Sequence, residues 1–548
     1  MLNDEQNGFI KNRSCQDQLQ TFMSVIETRR INGLHTFTTF VDFSKAYDMI
    51  PRAHLWYKLA KIGVRGNIMS AIQSLYVNVQ CSVRINNCIT SNFGVSNGLK
   101  QGCLMSPMLF NLYINDLVTE INLLDKGLNI NGRKVSMLLY ADDIVLMANV
   151  ARDLQCMLNV LNQWCIRWGL SVNPRKTKVV HFRPKGRKKC HFAFHCGDND
   201  LEIVNKYKYL GLWFTDNIDL KYMAEQVAIS AHRALGIVIA KSKAFGGLPY
   251  DCFSKLYNSL VQSVLDYGAC VWGLQEFECI NAVQHRATRF FLGVGKKTPN
   301  TAIMGEMGWT PQMVAQIQCI GRQLCRYSKM DQGRLNRHVI KWALDKNCNN
   351  WLNKVKVMFE SVQLGNLLDF DVEHSKCDIN VLKERLMLNF VKSWENDVNR
   401  IDAKKGGGQN KLRTYRLFKQ EYGVEDYVRN ISIGIRARKA FAQLRCGSAP
   451  INVELGRYKN GIYLPHEERI CPICLDGVED EFHVIMKCHF YEDVRDDLFD
   501  SASRVVPHFN DCDMDEKFVL LMTHVDLTKF TAKACSHILS RRKNFLVV

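Results

Sequence analysis

The sequence contains no uninterrupted apolar run of the ~18 residues that a membrane-spanning helix needs, so no membrane span is predicted. Residues 1–7 also lack the pattern of a secretory signal peptide. Cysteine is not scarce, but its 21 copies are odd in number and scattered, unlike a secreted disulfide framework. These absences predict an intracellular protein of a reducing compartment, in the cytoplasm, the nucleus or both.

Acidic residues are the minority charge in this chain. There are 54 Asp and Glu against 72 Lys and Arg, which gives a formal net charge of +18. This excess predicts a polyanionic partner, nucleic acid first, although a generally basic surface without a specific partner would give the same sum. With 548 residues, of which 47% are hydrophobic, the chain is long enough for several domains with buried cores.

Residues 138–148 are the stretch around which the chain is organised. Apolar residues of strand-forming type lead up to Asp142 and Asp143 and continue after them, which predicts a buried β-hairpin with both acids at its turn. Adjacent carboxylates repel each other, and a divalent cation such as Mg²⁺ removes that cost because it takes hard oxygen ligands. Aspartate is also common in ordinary turns, so this motif alone leaves both interpretations open.

A second predicted strand ends in a carboxylate. Residues 38–41 are β-branched or aromatic, and Asp42 follows them. Taken by itself, a strand-end aspartate is more often a turn or capping residue than a metal ligand. Asp48 precedes Pro51 and a helical pattern, so we expect a structural, helix-capping role for it.

A loop with two glycines precedes the next predicted helix. Gly98 and Gly102 allow a backbone to approach a ligand closely, and Gln101 beside them supplies an amide. Ser106 and Pro107 are typical of a helix start, with the serine as N-cap.

The most basic part of the chain is residues 175–189, which we call the basic stretch. It holds eight Lys or Arg and no acid, which predicts contacts with a phosphate backbone. Residues 207–214 follow it as a predicted aromatic strand with a central glycine. Farther on, residues 404–408 are the clearest linker, and a second basic helix is expected at 436–445.

A compact cysteine and histidine constellation lies near the C-terminal end. Its members are Cys471, Cys474, His483 and Cys488, with the spacing C-x2-C-x8-H-x4-C. Three thiolates and one imidazole are a typical ligand set of structural zinc. Chance is the alternative, since the chain has 21 cysteines and 15 histidines.

Taken in order, these motifs resemble the reverse transcriptases of LINE-type (non-LTR) retrotransposons. The matching segments are residues 8–19, 40–48, 98–116, 140–143, 173–177 and 209–211. The resemblance is specific within residues 7–215 and weaker through the helical region up to the cysteine and histidine cluster. A group II intron-type maturase or a telomerase-like enzyme is a related alternative, and the cluster at 471–488 favours the LINE type.

The resemblance implies an α+β fold. It consists of a right-hand polymerase palm, which is an antiparallel sheet with packed helices, then a helical thumb, a helical C-terminal region and a small zinc knuckle. The implied layout is a palm with partial fingers at 1–215, a helical thumb-like region at 216–335, a helical basic region at 336–460, a zinc knuckle at 461–495 and a helical tail at 496–548.

The resemblance also implies roles for single residues. Asp42, Asp142 and Asp143 are the expected ligands of two catalytic Mg²⁺ ions, and Lys176 is expected to neutralise or protonate pyrophosphate. Tyr47 is expected to lie under the incoming sugar and exclude a 2′-hydroxyl, with packing within the palm as the less favoured alternative. The remaining roles are nucleotide or template contacts for Gln101, Gly102 and Arg13, a primer grip of Tyr209, Leu210 and Gly211, and structural Zn²⁺ on Cys471, Cys474, His483 and Cys488.

The implied activity is RNA-directed DNA polymerisation, in which a DNA primer is extended on an RNA template by two-metal phosphoryl transfer. The implied partners are the RNA template, the DNA primer or target DNA, and dNTPs. An RNA-dependent RNA polymerase is disfavoured because Tyr47 would obstruct ribonucleotides. The family has further fingers elements before the first motif, so we expect this chain to be the C-terminal part of a longer polyprotein. The alternative function is an inactive remnant that binds nucleic acid through basic patches and the zinc knuckle.

Overall fold

The computed structural model describes residues 2–346, 348–400, 411–459 and 462–547. The predicted linker at 404–408 lies outside these residues. Across the described ranges, no helix combines the length and apolarity needed to cross a bilayer. The chain divides into two compact units. The first unit comprises Met1–Gln226, Gly268–Gln275 and Gln316–Ile379, and the second comprises Val227–Tyr267, Glu276–Ala315 and Asn380–Val548.

Helices and strands both occur, as expected for an α+β fold. The strands are β1 (Thr36–Val41), β2 (Gln80–Cys81), β3 (Arg84–Ile85), β4 (Cys88–Ile89), β5 (Phe93–Gly94), β6 (Leu128–Ile130), β7 (Arg133–Val135), β8 (Met137–Tyr140), β9 (Asp143–Ala148), β10 (Lys178–Phe182), β11 (Phe194–Cys196), β12 (Asn199–Leu201), β13 (Ile203–Val204), β14 (Lys206–Tyr209), β15 (Leu212–Thr215), β16 (Tyr458–Lys459) and β17 (Ile462–Tyr463).

The helices are α1 (Cys15–Ile31), α2 (Ala46–Met49), α3 (Arg52–Lys61), α4 (Gly66–Ser74), α5 (Ser106–Asn122), α6 (Ala151–Trp168), α7 (Leu220–Ala244), α8 (Tyr250–Tyr257), α9 (Ser263–Asp266), α10 (Ala269–Trp272), α11 (Glu278–Leu292), α12 (Asn300–Met307), α13 (Gln312–Ser328), α14 (Leu335–Asp345), α15 (Trp351–Ser361), α16 (Lys376–Asn399), α17 (Tyr415–Phe418), α18 (Asp426–Arg429), α19 (Ile435–Arg445), α20 (Asn452–Leu455), α21 (Glu492–Val505), α22 (Met514–Thr523) and α23 (Thr528–Val547).

The first unit is built around a five-stranded sheet with the order β13-β10-β1-β9-β8. β1 lies in the middle and is antiparallel to both β10 and β9, while β8 and β9 form a hairpin. All six residues of β1 are buried. A strand that is buried on both faces suits the β-branched and aromatic residues of this segment. The predicted hairpin of residues 138–148 is confirmed.

The two faces of β1 pack against different helices, because successive side chains of a strand point to opposite faces. Phe37 and Val41 belong to a core that also holds Phe110 of α5 and Trp164 of α6. On the other face, Phe40 packs edge-on against Phe22 of α1, with 5.6 Å between the ring centroids. Helices on both faces therefore exclude water from the strand that leads to Asp42.

Three local expectations were wrong. Asp48 is not a helix cap, because it lies within α2 and Pro51 is the N-cap of α3. Helix α5 begins at Ser106 with Met105 as its N-cap, and the Ser106 hydroxyl instead donates to the carbonyl of Lys100 over 2.6 Å. The aromatic segment 207–214 is not one strand but a hairpin of β14 and β15.

The second unit is helical, and β16 and β17 are its only strands among the described residues. Its core contains a buried ion pair, in which Arg445 donates to both carboxylate oxygens of Glu306 over 2.9 and 3.0 Å. Arg445 is 1% exposed and also donates to Glu425. Removing one partner would leave an uncompensated buried charge, so truncating either side chain is expected to destabilise this unit.

Candidate active site and metal centre

The three predicted metal-binding aspartates lie at neighbouring strand ends. In the register of β1 and β9, Val41 is opposite Ile144, so Asp42 follows β1 beside Asp143 at the start of β9. Tyr140 and Asp143 are the last pair of the β8–β9 hairpin, which leaves Asp142 in its two-residue turn. Asp142 and Asp143, which are adjacent in sequence, thus lie next to Asp42, which follows a separate strand.

The electrostatics of this acidic site favour a cation. Burial raises the pKa of Asp142, and the charge on Asp42 adds to the rise. Burial also raises the pKa of Asp143 to about 6, with the charges on Asp142 and Asp42 as further causes. Burial and mutual repulsion both disfavour the charged carboxylates. A divalent cation bound to these hard oxygen ligands would stabilise their charged forms.

Lys176 is the cation that the structure places beside these acids. Its Nζ lies 3.6 Å from Oδ2 of Asp42, and its side chain is 68% exposed, so the pair contributes little to stability. The backbone around it is better fixed, because the N–H of Asn173 donates to the Asp42 carbonyl over 2.7 Å and the Asp42 N–H donates to Thr177 Oγ1 over 3.1 Å. Lys176 therefore lies on a turn whose backbone is hydrogen-bonded to Asp42, and its ammonium is exposed to solvent.

Tyr47 lies on the short helix α2 and is near Asp142. Its ring stacks on Phe110 at a centroid distance of 4.8 Å. Burial raises its pKa to about 12, and the charge on Asp142 contributes. Within the described residues, the buried hydroxyl has no hydrogen-bond partner. Packing fixes the ring, while the hydroxyl end is left beside the carboxylates.

The glycine loop is held against the segment that carries Tyr47. The N–H of Leu99 donates to the Tyr47 carbonyl over 2.8 Å, and a Cβ on Gly98 would lie 2.7 Å from the carbonyl oxygen of Asp48. Gln101 Nε2 donates to the exposed carboxylate of Asp48 over 3.0 Å. Asp48 thus orients Gln101, a role that the sequence did not reveal because the two residues are 53 positions apart. Gly102 is exposed with φ +82°.

The remaining predicted site residues lie in two other places. Arg13 pairs with Asp4 at 3.8 Å and donates to the carbonyl of Gln6, so its contacts are with the N-terminal segment. Tyr209 is buried against Phe22, and Leu210 and Gly211 form the left-handed turn of the β14–β15 hairpin.

Tyr207, on the same hairpin, was missed by sequence reasoning. Its ring stacks on Phe40 at a centroid distance of 4.4 Å with an interplanar angle of 10°. Burial raises its pKa to about 12, and the charges on Asp143 and Asp42 add to the rise. The β14–β15 hairpin therefore reaches the acidic site through Tyr207. The aromatic run signalled a strand, but only the fold shows which ring faces the acids.

The second unit brings Cys471, Cys474, His483 and Cys488 together. All four ligand atoms lie within 4.8 Å of one another, and Cys474 Sγ is 3.2 Å from His483 Nε2. In the described part of the chain, this is the one group of three or more Cys, His, Asp or Glu side chains whose ligand atoms lie this close together, whereas Asp42, Asp142 and Asp143 are neighbours through the strand register. Burial raises the pKa of Cys488 to about 12, and the thiol of Cys471 adds to the rise. Three cysteines and one histidine suit a cation that binds sulfur and nitrogen ligands. Such a cation would favour the thiolate over the thiol at this buried position.

Two buried ion pairs fix the loop between the ligands. Arg542 donates to both oxygens of Glu479 over 2.7 Å each, and Arg413 donates to Glu481 over 2.6 Å. Both glutamates are fully buried. The N–H of His483 also donates to the carboxylate of Asp480 over 2.8 Å. The loop that delivers the histidine is thus held by charged hydrogen bonds on both sides.

Comparison with known proteins matches the first part of this chain to one family model. Residues 1–214 match the family model described as "Reverse transcriptase (RNA-dependent DNA polymerase)". The Pol polyprotein of the type-2 retrotransposable element R2DM from Drosophila melanogaster is 25% identical over 38% of this chain and 20% of its own length. The probable RNA-directed DNA polymerase from transposon BS of the same species is 23% identical over 62% of this chain and 37% of its own.

Among solved structures, apo telomerase from Candida tropicalis aligns with 67% of this chain and 56% of its own at 13% identity and a TM-score of 0.30. The chain spans about a fifth to a third of the length of the first curated relatives that it matches, at 20% and 32% of two R2 polyproteins. Residues 1–214 are thus similar to reverse transcriptases, and the two relatives named above come from transposable elements.

Proposed function

We propose that this chain is an RNA-directed DNA polymerase that extends a DNA primer on an RNA template. The observation that carries the proposal is the meeting of Asp42, Asp142 and Asp143 at adjacent strand ends, where burial and mutual repulsion raise the pKa of the latter two. In this proposal, residues 1–215 are a palm with partial fingers and 216–335 a thumb-like region. Residues 336–460 are then a basic helical region, 461–495 a zinc knuckle and 496–548 a helical tail.

The three aspartates would hold two Mg²⁺ ions. When bound, such a pair activates the primer 3′-hydroxyl and balances the charge of the departing pyrophosphate. The chain's own contribution is positioning, because in-line phosphoryl transfer needs little else from the protein. Asp42 is fixed by its backbone bonds to Asn173 and Thr177. The exposed Lys176 ammonium would turn from Asp42 to the leaving pyrophosphate and neutralise its charge.

Nucleotide and primer contacts come from the surrounding loops. Gln101, oriented by Asp48, and Gly102 would line the nucleotide and template. Tyr209, Leu210 and Gly211 would grip the primer, since the left-handed turn projects from the hairpin that Tyr207 anchors at the acids. Arg13 is assigned to the triphosphate, a role that requires it to leave Asp4.

For the second unit we propose a structural Zn²⁺ on Cys471, Cys474, His483 and Cys488. Three thiolates and an imidazole provide a closed tetrahedral set with no open position for substrate. The buried pairs Arg542–Glu479 and Arg413–Glu481 would act as an outer layer that keeps the ligand loop in place.

Primer extension on poly(rA)/oligo(dT) with the purified chain tests the polymerase directly. Incorporation that requires a divalent cation supports the proposal. RNA binding without any incorporation would instead support the alternative, a remnant that binds nucleic acid through the basic stretch.

Replacing Tyr47 is expected to relax sugar selection. In Tyr47→Val the ring that would lie under the sugar is gone, so the preference for dNTP over rNTP in kcat/KM should fall by roughly tenfold or more. Tyr47→Phe keeps the ring and its stacking on Phe110, and is the matched control. Unchanged selectivity in Tyr47→Val would assign Tyr47 to packing alone.

The basic stretch is expected to carry part of the RNA affinity. Arg187 and Lys188 are exposed and make no ion pair with any described residue. For Arg187→Ala/Lys188→Ala, we expect the slope of log K against log salt to become shallower by about 1.4, as for two lost single-strand phosphate contacts. Filter binding across salt concentrations measures this slope. The control Lys354→Ala/Lys356→Ala removes two exposed charges from α15 and should leave the slope unchanged, and equal effects would assign the affinity to net charge.

A further inference from the structure

The N-terminal segment runs alongside the hairpin that carries the acids. Gln6 is opposite Leu139 in a parallel bridge, with the Asn7 N–H donating to the Leu139 carbonyl over 2.9 Å and the Leu139 N–H donating to the Glu5 carbonyl over 3.0 Å. Gln6 is 2% exposed. This segment therefore extends β8 on its outer side and brings a buried amide to the hairpin turn.

The amide of Gln6 binds one residue of that turn from both sides. Its Oε1 accepts the N–H of Ala141 over 2.8 Å, and its Nε2 donates to the Ala141 carbonyl over 3.3 Å. The same Oε1 accepts the N–H of Gly8, also over 2.8 Å. Ala141 immediately precedes Asp142, so the peptide group that leads into the acid is one of the two held.

Ala141 has a backbone conformation that a residue with a Cβ avoids. Its φ is +56°, in the left-handed region. It is the first of two turn residues between the paired Tyr140 and Asp143, a position that favours glycine in tight hairpin turns. Strained residues of this kind persist where the surroundings over-determine them, and they cluster at functional sites.

Gly8 completes the arrangement by allowing close approach. A Cβ built on Gly8 would lie 2.3 Å from the Ala141 nitrogen and 2.9 Å from the Tyr140 carbonyl carbon. Both neighbours are backbone atoms that cannot yield without moving the turn. A glycine at this position is therefore what lets the Gln6 segment pack directly on the turn.

We propose that Gln6 is a positioning residue that holds Ala141 in its left-handed conformation and thereby aims the Asp142 carboxylate. This inference rests on the proposed polymerase function of the acidic site. Gln6 touches neither substrate nor metal ligand side chains. A buried glutamine that merely satisfied its own polar atoms would need no particular partner, whereas two of these three bonds go to the residue before the acid.

The test compares Gln6→Met with a matched buried amide. Methionine keeps the volume of glutamine and removes all three bonds. The Asn350 side chain makes four hydrogen bonds in the same unit, one each with Thr28 and Ala343 and two with Asn353, so Asn350→Leu is the control. Hydrogen–deuterium exchange of the Ala141 amide measures how well the turn is held, and it does not depend on enzyme activity. Primer extension at a series of Mg²⁺ concentrations then measures how well the three aspartates support incorporation.

In Gln6→Met we expect the Ala141 amide to exchange roughly tenfold faster or more, because its acceptor is lost. Incorporation should fall by roughly tenfold or more with a higher half-saturating Mg²⁺ concentration, since misplaced groups are costly in catalysis. Adding Ala141→Gly should recover part of the incorporation, because glycine adopts positive φ without strain. Asn350→Leu should lower the melting temperature alone.

Unchanged exchange at Ala141 would overturn the proposal, as would an equal loss of incorporation in Asn350→Leu or no recovery on adding Ala141→Gly. If Gln6→Met does not fold, Gln6→Asn, whose amide is one methylene too short to reach the turn, takes its place in the same comparison. A wild-type chain that incorporates nothing would refute the polymerase function, while the exchange of Ala141 still decides for or against the Gln6 contact.

Discussion

Asp142→Asn is expected to reduce deoxynucleotide incorporation by about three orders of magnitude or more, since the loss of several kcal/mol of metal-borne charge stabilisation has that effect on a rate. Asparagine keeps the size and shape of the side chain, so the two-residue turn should remain. It replaces the charged carboxylate, which would be a metal ligand, with a neutral amide. Primer extension at saturating Mg²⁺ and dNTP measures the loss.

The control for this prediction is an aspartate that plays no part in the site. Asp200 is 89% exposed and pairs only with His195 among the described contacts, so Asp200→Asn should incorporate like the wild type. RNA binding by Asp142→Asn should remain at wild-type strength, because the basic stretch is untouched. An Asp142→Asn protein that still incorporates at a tenth of the wild-type rate or better would contradict the assignment of the acids.

Loss of the cysteine and histidine site is expected to have the largest effect on stability. In Cys471→Ala the second unit should melt about 10–20 °C lower, because structural zinc contributes several kcal/mol or more to folding. The same drop should follow incubation of the wild type with a strong chelator. Elemental analysis of the purified chain should find one zinc per molecule in the wild type and less in the variant.

A second buried cysteine separates metal binding from packing. Cys535 on α23 is 1% exposed, like the fully buried Cys471, but it is not among the four clustered ligands. Cys535→Ala should therefore keep the zinc and lose only the small packing contribution of one thiol. Equal melting temperatures for the two variants, or a wild type free of zinc that melts as before, would refute the metal centre.

The parts of the fold that the sequence predicted are local ones. The hairpin with Asp142 and Asp143 at its turn is confirmed, because strand periodicity and turn chemistry act over a few residues. The meeting of the four cysteine and histidine ligands follows from their short spacing in the same way. Asp42 was placed beside the other acids by family resemblance, not by its own surroundings in the chain.

What the sequence did not predict depends on contacts between distant segments. Gln6 bonds to Ala141 across 135 positions, and nothing near Gln6 signals such a partner. Tyr207 was one aromatic residue in a run until the β14–β15 hairpin showed which ring faces the acids. Asp48 had the flanking pattern of a helix cap, but the break between α2 and α3 freed its carboxylate for Gln101.

Because β1 pairs with β9 in a fixed register, the position of Asp42 depends on the number of residues in β1. Opposite residues are fixed from Phe37 with Ala148 to Val41 with Ile144. A single-codon insertion or deletion within β1 would turn Asp42 toward the other face of the sheet, because side chains alternate. The same change in the exposed turn around Gly186 would shift no strand. In the proposed polymerase, a variant in which the length of β1 has changed should therefore lose incorporation even when all three aspartates are kept.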